Sequence, residues 1–148
     1  MVGFFFSLLY NISMKNILLG VTGSISIYKS VELVRMLVKA NYSVKVIMTK
    51  YATEFIKPLL FETISQNKVE TSNWTSNTET TMNHIDLCKW ADLLVIAPAS
   101  ANIIAKLANG ICDDLLSTTS ISMGENILIA PSMNKEMWHS KSNQRNYR

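Results

Sequence analysis

The chain has 148 residues, 48% of them hydrophobic, which suffices for one globular domain with a real core and is too short for two comfortable ones. A formal charge of +3, from 14 Lys and Arg scattered along the chain against 11 Asp and Glu, lacks the basic concentration of a nucleic-acid binder, so no nucleic-acid partner is expected. Cys88 and Cys112 stand outside any CxxC or Cys/His ligand spacing, which points to reduced thiols in a cytoplasmic protein and to no metal site.

Residues 2–10 are apolar and aromatic, yet shorter than the roughly 20 residues needed to cross a bilayer, and they have neither a basic start nor a small-residue cleavage pattern. Residues 1–13 are therefore expected to be an extension without structural role, with Met14 as an alternative start and no membrane partner. Residues 15–21 read as a first buried strand ending in Thr22-Gly23-Ser24, and Val31, Val34, Leu37 and Val38 then recur at helical spacing. Residues 43–48 read as a second strand with Thr49 at its carboxyl end, followed by a weak helical segment over 52–56, Pro58, and a helix over 59–64. The polar run 66–83 shows no period and is expected to be mostly loop, with Trp74 tucked against a neighbour.

The chain is organised around residues 93–97, an uninterrupted apolar run of the kind buried on both faces of a parallel sheet. Pro98 is expected to stop that strand, Ser100 or Asn102 to cap a helix running to Asn109, and Gly110 to close it. Residues 113–119 look like a further helix start with two carboxylates at the positive end of its dipole. The last strand falls over 126–130, followed by the turn Pro131-Ser132-Met133-Asn134, a helical turn over 135–138 and the beginning of another helix over 142–148. This alternation predicts an α/β fold, a three-layer, doubly wound sandwich of Rossmann-like or flavodoxin-like form with a mostly parallel sheet.

In such folds ligands sit beyond the carboxyl ends of the strands, where this sequence places Ser24, Thr49, Ser100 with Asn102, and Asn134. Gly20 and Gly23 do not make a GxGxxG fingerprint and no Lys-bearing phosphate loop is present, so a mononucleotide held by hydroxyls and helix ends fits better than a dinucleotide. Each Ser or Thr taken alone reads as an ordinary helix cap. Their repetition along one edge is what points to a ligand. His84 and His139, read singly, are hydrogen-bonded, partly buried histidines.

Several of these stretches together resemble a family. Gly23-Ser24 followed by Tyr28-Lys29, His84-Ile85 before Trp90-Ala91-Asp92, Pro98-Ala99-Ser100-Ala101-Asn102, Asp113-Asp114-Leu115-Leu116-Ser117, and Pro131-Ser132-Met133-Asn134-Lys135-Glu136-Met137-Trp138 resemble the homo-oligomeric flavin-containing cysteine decarboxylases, most closely those of coenzyme A biosynthesis. The resemblance covers residues 14–148 and implies an FMN-binding flavoprotein domain. It implies FMN lined by Gly23, Ser24, Thr49, Ser100, Ala101, Asn102 and Ser132, with His84 as catalytic proton carrier and Asn134 as the catalytic residue that grips the substrate carboxylate. The implied reaction converts 4′-phosphopantothenoylcysteine to 4′-phosphopantetheine through flavin-dependent oxidation, loss of carbon dioxide and return of the electrons. The implied assembly is a trimer or dodecamer with the site at a subunit interface, alongside a possible separate ligase chain.

Three departures accompany the resemblance. Ile103 stands where the family has threonine, and Cys112 replaces a small apolar residue and is expected to be a compact buried thiol. The family continues past Arg148 with a glycine-rich substrate clamp carrying a cysteine, so the sequence is expected to be truncated before that clamp. Two other classes remain open: a non-catalytic FMN-binding scaffold or regulatory subunit, and a flavin prenyltransferase, against which Met133-Asn134 and His84 argue.

Overall fold

The computed structural model describes residues 15–71 and 84–147. The expectations for the leading extension and for Trp74 fall outside these residues. Five parallel strands form one sheet in the order β3-β2-β1-β4-β5, where β1 is Asn16–Val21, β2 Ser43–Met48, β3 Val69–Glu70, β4 Leu93–Ala99 and β5 Ile127–Pro131. Ile17 pairs with Val44 on one side and with Leu93 on the other, so β1 is central and hydrogen-bonded along both edges. The chain moves outward from β1 to β3 and then returns to place β4 on the opposite flank of β1. That reversal puts the topological switch point between the carboxyl ends of β1 and β4.

Alternation along the strands divides the core into two layers. Ile17, Leu19 and Val21 of β1, with Val46 and Met48 of β2 and Val95 of β4, face α1 (Ile27–Lys39), α2 (Lys50–Phe55) and α3 (Pro58–Ser65), which contribute Val34, Leu37, Ala52 and Phe61. Leu18, Ile47, Leu94 and Ile96 face the other layer, α4 (His84–Trp90), α5 (Ala101–Ala108) and α6 (Leu115–Ser122), through Leu87, Ile103, Ile104 and Leu116. Both faces of β1 and β4 are thus covered, which is why their sequences read as continuous apolar runs. Gly20 lets α6 settle onto the sheet, since a Cβ there would stand 2.4 Å from Leu116 Cδ1. The short helices α7 (Lys135–His139) and α8 (Lys141–Tyr147) complete the chain, with α8 packed against α5.

The structure corrects the expectations for Pro98 and for Cys112. β4 runs through Pro98 to Ala99 instead of stopping, because the β4–β5 ladder shifts register between Ile96 and Ala99 and then resumes by pairing Ala99 with Pro131. A proline that cannot donate is accommodated where the ladder is already interrupted. Within the run 66–83, expected to be mostly loop, the described residues include the two-residue β3, and His84 opens a helix. Cys112 is exposed, not buried, because it lies in the turn between α5 and the cap of α6 with its thiol over the Gly110 carbonyl. Among the described residues no helix is long and apolar enough to cross a membrane.

Candidate functional site

Beyond the carboxyl ends of the strands lie two adjoining cavities of about 350 and 440 Å3. The first is bounded by the β1 turn at Thr22 and Gly23, by Thr49 and Tyr51 after β2, and by Ser100, Ala101, Asn102 and Ile103 after β4. The second shares Gly23, Ser100 and Ala101 with it and extends to Ser24, Ile25, Ser132, Met133 and Asn134, while Met137 of α7 walls both. Four strand ends therefore meet in one recess. Gly23 is required by the close approach of α2: a Cβ on it would stand 2.8 Å from Tyr51 Cβ and 3.2 Å from the Tyr51 backbone.

The polar residues of this rim are employed in two ways. Thr49 Oγ1 accepts from Ala52 N at 3.4 Å, Ser100 Oγ from Ile103 N at 3.4 Å, and Asn134 Oδ1 from Glu136 N at 2.7 Å, so each caps the helix that follows it. Capping uses the oxygen as acceptor. The hydroxyl protons of Thr49 and Ser100 and the amide protons of Asn134 remain available to donate. Ser24, Ser26 and Ser132 instead bond to one another, with Ser26 Oγ 2.6 Å and Ser24 Oγ 3.1 Å from Ser132 Oγ, and 3.2 Å between Ser24 and Ser26. Ser26 occupies the N-cap position of α1 without making a side-chain cap bond, which leaves its hydroxyl for this trio.

Among the described residues no charged side chain lines either cavity. An anion received here meets hydroxyls, the side-chain amides of Asn102 and Asn134, and the first turn of α5, whose dipole presents its positive end. Charge is concentrated at the other end of α5, where Lys106 Nζ lies 2.6 Å from both Asp113 Oδ1 and Asp114 Oδ2. Asp114 also caps α6 in a reciprocal box with Ser117. Burial by itself would raise the Asp114 pKa, but the Lys106 ammonium and the Ser117 amide outweigh it and hold the carboxyl below its ordinary value. Lys106 is likewise opposed by burial and raised overall by the two carboxylates.

The flavin-lining residues inferred from sequence, Gly23, Ser24, Thr49, Ser100, Ala101, Asn102 and Ser132, all border this recess, as does Asn134. His84 does not. It is half-buried at the start of α4, which packs against α6, and it borders neither cavity of its own chain. His139 is exposed at the end of α7. Ile103, in place of a threonine, is 1% exposed and offers its backbone N–H to Ser100. The structure adds Thr22, Ser26, Tyr51 and Met137. Ser26 could have been found from its position two residues beyond Ser24 in the same turn, and Met137 lies in the stretch that carries the resemblance; Tyr51 has no sequence signal beyond adjacency to Thr49.

A family model described as Flavoprotein matches residues 6–148. The coenzyme A biosynthesis bifunctional protein CoaBC of Haemophilus influenzae is 46% identical over 132 residues, and that of Bacillus subtilis 44%; each alignment takes in 89% of this chain. The chain spans about a third of the length of these relatives, 33% and 32%. Among solved structures, the FMN-dependent cysteine decarboxylase SpaF superposes with a TM-score of 0.80 at 33% identity, covering 89% of this chain and 76% of that one. A PPC decarboxylase variant complexed with pantothenoylaminoethenethiol superposes with a TM-score of 0.76 at 30% identity, covering 90% and 75%.

Proposed function

Because the chain belongs to the flavoprotein family, we propose that it holds FMN at the carboxyl rim of its sheet and acts in the FMN-dependent decarboxylation of 4′-phosphopantothenoylcysteine to 4′-phosphopantetheine. The observation that carries this reading is the convergence of four strand ends on an uncharged, hydroxyl-rich recess of the size ligand pockets commonly have. The recess fits such a group: Gly23 keeps the wall thin where a Cβ would collide with Tyr51, and Ser24, Ser26 and Ser132 gather three hydroxyls at one corner whose mutual bonds can be exchanged for bonds to a phosphate. Thr49, Ser100, Ala101 and Asn102 supply the remaining polar wall.

When bound, FMN supplies a two-electron acceptor for the cysteinyl carbon. The chain's own residues then have two tasks. Asn134 has its Oδ1 fixed by Glu136 N, which orients the amide so that its N–H pair can hold the substrate carboxylate. A neutral donor suits a carboxylate that must leave, since a cation would stabilise it in the ground state. His84 is the proton carrier, an imidazole whose ring nitrogens can take up and return a proton.

Since His84 borders neither cavity of its own chain, its role calls for a homo-oligomer in which it reaches a neighbour's recess. A trimer, alone or built into a dodecamer, would cover the apolar side chains at the mouth, where Ile25 is 82% and Tyr51 74% exposed. We place this assembly in the cytoplasm. The test is to purify the chain, measure bound FMN, and follow carbon dioxide release from 4′-phosphopantothenoylcysteine with and without His84→Asn. Release lost in the variant with FMN retained is expected. FMN binding with no release in either protein would instead favour an FMN-binding scaffold, the second reading, which the position of His84 outside the recess of its own chain supports.

A further inference from the structure

Thr22 borders the first cavity, yet its hydroxyl is engaged by the backbone of the β4 turn. The residue is 2% exposed, one position past β1. Its Oγ1–H donates to Pro98 O at 2.6 Å, and its Oγ1 accepts from Ser100 N at 2.9 Å. A hydroxyl has one proton, and here that proton is committed to the β4 turn.

Both partners need it. The β4–β5 ladder is irregular between Ile96 and Ala99, so the sheet does not secure this turn in the ordinary way, and Pro98 has no N–H with which to hold itself. Unpaired buried backbone groups are costly. Thr22 satisfies an acceptor and a donor on either side of Ala99 with one oxygen, and Ser30 of α1 donates to the neighbouring Ala97 carbonyl at 2.7 Å. Directly after this turn the chain reaches Ser100, the N-cap of α5, which borders both cavities and sets where the first amides of α5 point.

We propose that Thr22 is a positioning residue for the FMN recess: its hydroxyl locks the carboxyl ends of β1 and β4 together across the switch point and so fixes Ser100 and the opening turn of α5 for the ligand. The inference rests on the FMN reading only for its effect on affinity; the lock itself belongs to the chain alone.

The experiment separates the hydroxyl from the side-chain volume. Thr22→Ser keeps the oxygen and loses a buried methyl, Thr22→Val keeps the volume and loses the oxygen, and Thr22→Ala serves if valine, whose methyl would face the Pro98 carbonyl, prevents folding. FMN affinity is read by fluorescence quenching, unfolding by thermal melt, and the Ser100 amide by hydrogen exchange in FMN-free protein. Expected is at least a tenfold loss of FMN affinity and faster Ser100 exchange in the valine or alanine variant, with Thr22→Ser within threefold of the parent on both even if its melting temperature falls. Affinity that tracks melting temperature regardless of the hydroxyl, or Ser100 exchange unchanged when the oxygen is removed, overturns the proposal. If the parent itself does not bind FMN, the functional reading fails while the exchange measurement still decides the lock.

Discussion

The base of the molecule and its rim use polar residues in opposite ways. At the base, where β1 begins, the Asp92 carboxylate accepts from the Lys15 and Asn16 amides at 2.9 Å each, and Asn16 Nδ2 donates to Trp90 O at 3.0 Å. At the end of α5 remote from the recess, Asp114 is held by Lys106 and by the amide of Ser117. Charge there holds elements together. Among the described residues that line the rim there is none: the side chains are hydroxyls, the amides of Asn102 and Asn134, the isoleucines Ile25 and Ile103, small residues and methionines. A carboxylate in that wall would repel an anionic ligand. The difference teaches that charge at the base and at the far end of α5 is matched, while the recess leaves any charge to the ligand.

That contrast can be broken most sharply at Gly23. Gly23→Val drives a branched side chain into Tyr51 and is expected to weaken FMN binding about a hundredfold, roughly 2.7 kcal/mol, while circular dichroism shows the sheet intact. Asp114→Asn removes charge from the far end of α5 and is expected to cost about 1–3 kcal/mol in urea unfolding at neutral pH. The pH dependence has a definite sign. The native Asp114 carboxyl titrates below the value of 3.8 expected in the unfolded chain, so its contribution is present above that value and disappears as the pH falls through the lower native one. Acid titration of the parent against Asp114→Asn should show the difference between them shrinking only at the acidic end. The smallest expected effect is at the base. Asp92→Ala, which leaves the Lys15 and Asn16 amides to water, is expected to cost about 1–2 kcal/mol, with FMN affinity of the folded protein within twofold of the parent.

Much of this contrast is visible in the amino-acid order and some of it is not. β1, β2 and β4 show as apolar runs because both their faces are covered, and the rim positions are located once those runs end. α4 is harder to see, since its seven residues bury only Leu87 and give no helical period to read. β3 is two residues long. Pro98 argues against a strand by its own chemistry and is tolerated because of a register shift and of hydroxyls far away in sequence, Thr22 and Ser30, that no local pattern reveals. The same holds for Ser26 and Ser132, which stand 106 positions apart and meet at 2.6 Å. Local order tells which residues reach the rim; only the folded chain tells which of them turn their hydroxyls on one another.

The serine trio has a thermodynamic corollary. Its three hydroxyls satisfy one another, so a guest at that corner trades existing bonds for new ones and gains little from their number. Any net gain must come from bond strength, and bonds to an ionised oxygen are about twice as strong as those between neutral groups. On the FMN reading, such a corner would discriminate by ionisation more than by shape, favouring a phosphorylated vitamin over the same vitamin bearing a plain alcohol.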